Sequence, residues 1–191
     1  MVEEGSPAGR NLLWLFAPTG ALTATYQKHY LAPPERGLTV GQAYEVRRLA
    51  GADYGLAICK DMHFAALGRA YGQRQVAAML VPAWDFDADR HLAAGMTATR
   101  GVENGYAVVR TARTGLLTMS DPYGHCLGEQ ASASLPGRTL LVRARVGAPL
   151  ATIYTRFGNW WGWLCVAGGA SLLALGRRRT PPPAPALLPT G

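Results

Sequence analysis

The stretch GLAICKDMHFAALGRAYGQRQVAAMLV, residues 55–81, decides the fold class. GLAI (55–58) is a short apolar run, as expected of a strand buried on both faces. Cys59-Lys60-Asp61 breaks that run, and Phe64 to Gln75 then reads as a helix. VAAMLV (76–81) is a second buried strand, stopped by Pro82. Strand, helix and parallel strand make one βαβ unit, which predicts an α/β layered domain. Cys59 falls where the first strand meets the helix. That places it at the carboxyl edge of a sheet, where sites form in α/β proteins. A helix start and a neighbouring cation both favour a thiolate, so Cys59 is the candidate nucleophile, against the alternative of a buried structural cysteine.

Outward from that unit, NLLWLFA (11–17) and ALTATYQ (21–27) flank Pro18-Thr19-Gly20 and predict a hairpin. Tyr44–Arg48 reads as a strand, Ala88–Gly101 as a helix, and YAVVRTA (106–112) and GLLTMS (115–120) as strands. Asp121-Pro122-Tyr123-Gly124 is a turn, and Arg138–Val146 is read as a last strand. WDFDADRH (84–91) alternates carboxylates but lacks the glycine and the closing glutamate of a calcium loop, so it reads as a polar rim loop.

The 191 residues are 49% hydrophobic and 16% charged, which is enough apolar material for a core. Three cysteines exclude a disulfide scaffold and a four-cysteine zinc site. The net charge of +7 includes the run Arg177-Arg178-Arg179, and the remainder is too modest to mark a nucleic-acid-binding protein. The basic residues are almost all arginine; lysine stands only at Lys28 and Lys60. Lys28 ends the second hairpin strand, where a compact charge aimed into a cleft stabilises an oxyanion and an arginine would not serve equally.

Residues 159–176 are uncharged, carry Trp160, Trp161 and Trp163 at one end and are closed by the arginine run at the other. This pattern predicts a transmembrane helix over 157–176 with a cytoplasmic, basic and Pro-rich tail at 177–191. Residues 11–156 would then face the outside of an inner membrane, preceded by a polar leader at 1–10. That leader has no signal-peptide character, so either a translocating segment is expected upstream or the domain stays inside as a tail-anchored protein.

Together these segments resemble the carbon–nitrogen hydrolase (nitrilase) superfamily, and within it the membrane branch of apolipoprotein N-acyltransferases. The resemblance is carried, in order, by NLLWLFAPTGALTATYQKHYLAPPE (11–35), GLAICKD (55–61), LVPAWDFD (80–87), RGVENGYAVVR (100–110), GLLTMSDPYG (115–124) and TIYTRFGNWWGW (152–163). It implies an αββα sandwich, incomplete here at its N-terminus, and a cysteine that forms a thioester with an acyl donor. By match, Cys59 is the nucleophile and Lys28 the oxyanion stabiliser, with Glu35 near a second family glutamate. The resemblance implies no cofactor, a phospholipid acyl donor and a lipoprotein amine as acceptor; a membrane-tethered amidase or a non-catalytic fragment is the alternative. Two departures stand out. No residue matches the family's general-base glutamate, so the chain is read as the C-terminal portion of a longer enzyme or as a degenerate copy. Lys60 occupies the place where the family usually has an aromatic residue, while Asp61 keeps the acid that follows.

Overall fold

The computed structural model describes residues 9–85, 87–132 and 137–178. The chain divides into two compact units, residues 1–156 and 157–191. The polar leader up to residue 8 and the tail from residue 179 lie outside the described residues.

In the first unit, β1 (Leu12–Phe16) and β2 (Leu22–Gln27) form the expected hairpin, a two-stranded antiparallel sheet. Pro18-Thr19 turns the chain, and Gly20 closes it at φ 84°, donating its N–H to the Ala17 carbonyl at 2.8 Å. Only glycine adopts that conformation without steric cost. A second sheet runs β3 (Val46–Leu49), β4 (Ala52–Leu56), β5 (Ala78–Ala83), β6 (Ala107–Ala112), β7 (Leu116–Ser120) and β8 (Cys126–Ala131) in spatial as well as chain order. Its centre, β4–β5–β6, is parallel, and the flanking pairs are antiparallel. The parallel steps need crossovers, supplied by α1 (Ala65–Gln73) and α2 (Arg90–Asn104).

Alternation along β4 and β5 divides the core. Ala57, Met79 and Val81 point toward α1 and α2 and join Met62, Leu67, Tyr71, Tyr106 and Val108 in one cluster. Leu56, Ile58 and Leu80 point the other way and pack on Ala24, Tyr26, Leu13 and Leu15 of the hairpin. The parallel sheet is therefore sandwiched, helices on one face and the β1–β2 hairpin on the other. Each of these large side chains, withdrawn from water, contributes on the order of 1.5–3 kcal/mol.

Four expectations are corrected. β5 does not stop at Pro82 but runs through it, pairing Pro82 with Thr111. The nitrogen of Pro82 faces the same side as Leu80, whose carbonyl takes the Ala57 N–H, and β4 pairing has ended there, so no ladder donor is lost. Residues 138–146 form no strand; Leu140 and Val142 instead lie against Gly128 of β8. β8 itself, with glycine, glutamate and glutamine in CLGEQA, carried too weak a pattern to be read as a strand. The strand expected at 55–58 pairs over Ala52–Leu56, leaving Ile58 free to start the turn that follows.

The transmembrane helix is the largest correction. In the second unit α4 (Trp160–Arg178) does form, following α3 (Ile153–Phe157), yet among the described residues no helix is long and apolar enough to cross a membrane. Gly162, Gly168, Gly169, Gly176, Ser171 and the three tryptophans dilute its leucines and valine, so absence of charge did not amount to sufficient hydrophobicity. The outward-facing topology inferred from that span loses its support with it.

Candidate active site

Cys59 stands at the carboxyl end of the β4 segment, where a one-turn 3₁₀ helix (Cys59–His63) begins. Its backbone is left-handed, φ 48°. For a residue with a Cβ this costs on the order of 1–2 kcal/mol, so neighbouring contacts must hold the turn. The thiol is half-buried, with Sγ 3.7 Å from the Trp84 carbonyl oxygen just beyond β5.

Asp61 is the residue that holds the turn. It is fully buried, and both carboxylate oxygens are saturated. Oδ2 accepts the Ile58 N–H at 2.9 Å and the Tyr26 hydroxyl at 2.7 Å. Oδ1 accepts the N–H groups of His29 at 3.1 Å and Tyr30 at 2.8 Å. One carboxylate thus fastens the Cys59 turn to the end of β2, the segment that carries Lys28. The Tyr26 hydroxyl commits its single proton to Asp61 and lies 2.7 Å from His29 Nδ1, so that nitrogen carries the hydrogen and donates to Tyr26. Burial pushes the Asp61 carboxyl above the usual carboxylate range; the Ile58, Tyr26 and Tyr30 hydrogen bonds and the nearby His29 pull in the opposite direction without prevailing. Burial, then the neighbouring Asp61 charge and hydrogen bond, push the Tyr26 phenol up.

Lys28 is 2% exposed, and its Nζ donates to Glu35 Oε2 at 2.6 Å. Glu35 reaches back from a 3₁₀ turn, Pro33–Glu35, and also accepts the Ala32 N–H at 2.6 Å and the Asn11 amide at 2.5 Å. Asn11 is itself anchored by accepting the Lys28 N–H on its carbonyl at 3.0 Å. Burial raises the Glu35 carboxyl, but the hydrogen bonds from Lys28 and Ala32, the Lys28 charge and the Asn11 amide outweigh it and leave it below its ordinary value. Lys28 and Glu35 are therefore side by side, and Asp61 couples their segment to that of Cys59.

Beyond β5 the buried Asp85 pairs with Arg110 of β6, Oδ1 to Nη2 at 2.5 Å, fixing the loop that bears Trp84. The guanidinium of Arg113 lies 4.5 Å above the Trp84 ring. His63, half-buried, has its imidazole pushed down by burial and then by the charges of Arg110 and Lys60. Tyr30 and Phe64 stack at 3.8 Å on the other side of the turn. Asp85, read with its segment as part of a polar rim loop, is instead buried against Arg110, and Asn11, Tyr26 and Arg110 escaped the reading of the chain. Each looks ordinary in its own strand or loop, and only the contact across the fold gives it a role. Among the described residues no group of three His, Cys, Asp or Glu side chains is placed to hold a metal ion.

The arrangement is a half-buried cysteine in a forced turn at the carboxyl edge of a parallel sheet, linked through Asp61 to the segment that bears a buried lysine–glutamate pair. The carbon–nitrogen hydrolase family model matches residues 3–134, and the chain belongs to that family. It is 33% identical over 134 residues to the apolipoprotein N-acyltransferase of Geobacter metallireducens, a match covering 65% of this chain and 24% of that one. Among solved structures it is similar to the NitN amidase of Nesterenkonia sp. AN1, with a TM-score of 0.63 and 26% identity over 67% of this chain and 55% of the amidase. A glutamate-to-leucine variant of that amidase, carrying the acetamide moiety of fluoroacetamide covalently on its active-site cysteine, matches equally, with a TM-score of 0.63 and 26% identity over 67% and 53%. The chain thus spans about a quarter of the acyltransferase and about half of the amidase.

Proposed function

We propose that Cys59 is the nucleophile of an acyl-transfer reaction of the carbon–nitrogen hydrolase type. The Cys59 thiolate attacks the carbonyl carbon of an acyl donor, and the ammonium of Lys28 stabilises the oxyanion that develops. Collapse of the tetrahedral intermediate expels the leaving group and leaves a thioester, which an amine then cleaves. Glu35 pairs with the buried Lys28 ammonium and orients it. Transfer to an apolipoprotein amine, from the phospholipid donor implied by the resemblance, is the first reading. The observation that carries the proposal is the left-handed Cys59 turn, fastened by Asp61 to the segment that holds Lys28.

Glu35 is committed to Lys28, so the thiol proton and the proton of the incoming amine call for another base. Loss of a general base costs about 10²–10⁴ in rate. The expected behaviour of this chain alone is stoichiometric alkylation of Cys59 by iodoacetamide with slow turnover. The assay is acyl transfer to hydroxylamine beside mass-spectrometric mapping of the alkylated cysteine, with Cys59→Ala as control. Turnover that survives Cys59→Ala sinks the proposal. Hydrolysis of a small amide is the second reading, favoured by the likeness to an amidase whose active-site cysteine carries an acetamide group. The partition of product between hydroxamate and free acid separates the two.

A further inference from the structure

The cations around Cys59 fall into two kinds. Lys28 is neutralised by Glu35, and Arg110 by Asp85. Lys60 and Arg113 are not neutralised: no ion pair joins either to a carboxylate among the described residues. Both flank the nucleophile. Lys60 follows Cys59 directly and is half-buried, its charge acting on His63 beside it. Arg113 rides on the Trp84 ring, and the carbonyl of that same tryptophan is 3.7 Å from Cys59 Sγ. Stacking keeps the guanidinium in place without consuming its charge. His63 adds no competing positive charge at neutral pH, because burial and its cationic neighbours hold it neutral. Exposed aromatic rings lie on the same segments, Trp84 at 55% exposure after β5 and Phe64, stacked on Tyr30, after the Cys59 turn.

Two cations without carboxylate partners on the segments next to Cys59 draw in substrates that carry an anionic group, against the carboxylates of Asp89 and of the Arg110-paired Asp85 that also act on His63. We infer that Lys60 and Arg113 form an anion-selecting subsite beside Cys59, which admits acyl donors bearing a carboxylate or phosphate near the reacting carbonyl. This rests on Cys59 being the nucleophile, and it adds a specificity that the position of Lys60 gives to this chain in particular.

The test uses two alkylating probes of nearly equal size and opposite charge character. In each, Cys59 sulfur forms a bond to the methylene carbon and iodide leaves with the bonding pair. Because the thiolate fraction is common to both, the ratio of the iodoacetate rate to the iodoacetamide rate reads the local field alone. The measurement is made in the full chain with Cys126→Ser and Cys165→Ser, two exposed positions outside the site. The expected ratio exceeds that of glutathione about fivefold at low salt and shrinks at 0.5 M salt, since screening weakens surface fields. Lys60→Gln and Arg113→Gln each reduce it, Lys60→Glu brings it below the glutathione value, and circular dichroism shows the fold retained. Protection of Cys59 from iodoacetamide by inorganic phosphate or by acetate identifies which anion the subsite takes. A ratio equal to that of glutathione and indifferent to all three variants overturns the inference while leaving the nucleophile in place. Failure of both probes to label Cys59 in folded protein overturns the nucleophile itself.

Discussion

Glu35 accepts three hydrogen bonds and Asp61 four, yet their carboxyl groups move in opposite directions. Glu35 is partly exposed and faces an ammonium ion; its affinity for protons falls. Asp61 is fully buried and faces only backbone N–H groups and a phenol; its affinity for protons rises. Four neutral dipoles do not offset complete removal from water, whereas one full charge and two dipoles outweigh partial removal. The difference separates two tasks. Glu35 manages a charge that the chemistry uses. Asp61 manages geometry, and it links two chain segments whose separation in sequence is more than thirty residues.

The comparison is broken most severely by removing the charge on one side. Lys28→Met leaves Glu35 partly buried without its cation. Acyl transfer is expected to fall about 10²–10³-fold, the usual loss of an oxyanion stabiliser. Unfolding free energy is expected to fall by about 3 kcal/mol, discounted toward the lower end of broken buried pairs because Glu35 retains some solvent. Hydroxylamine transfer rates and urea denaturation check both.

Asp61→Asn comes next. The amide keeps the volume, but its NH₂ meets the Ile58 N–H or the N–H groups of His29 and Tyr30, depending on how it turns, so donors oppose donors. The expected loss is about 1–3 kcal/mol. Iodoacetamide should then label Cys59 at a rate altered together with that of Lys28→Met, because the two segments no longer share a register. Unchanged labelling beside lowered stability would reduce Asp61 to a purely structural role.

Tyr26→Phe sharpens the same point at lower cost. It removes one of the four donors and leaves an apolar ring in the Leu56–Ile58 cluster, with an expected loss of about 1 kcal/mol. Thermal unfolding measures it.

The smallest effect is in the acid limb of stability. The Glu35 carboxyl is depressed by folding, so its contribution is present above its unfolded value of about 4.3 and is lost as pH falls through the lower folded value. Asp61 is raised by folding and has the reverse sign: its contribution is full below about 3.9 and is lost as pH climbs through the raised folded value. Glu35→Gln should therefore flatten the decline of Tm below pH 4.5, and Asp61→Asn should flatten the decline on the higher-pH side. Like-signed changes in the two variants would refute the contrast.

What was legible along the chain follows the range of the forces involved. The hairpin around Gly20, the β4–α1–β5 unit and Cys59 at its junction are set by turn chemistry and hydrophobic periodicity over fewer than thirty residues. The misreadings share a cause as well. Arg138–Val146 alternates like a strand but lies without ladder pairing against Gly128 of β8, and β5 tolerates Pro82 because its neighbour has already ended. The uncharged run at 159–176 makes a helix, but its glycines and tryptophans keep it from being apolar enough to cross a bilayer.

The sequence by itself determined the class of the fold, the parallel strand pair and the placement of Lys28 and Cys59 at element ends, because each depends on residues close in the chain. Only the tertiary structure decided that Asn11 and Lys28 satisfy Glu35, that Asp61 joins the Cys59 turn to β2, and that Lys60 and Arg113 meet no carboxylate among the described residues. Those outcomes depend on which polar groups meet once water is excluded from between distant segments, and no local pattern carries that information.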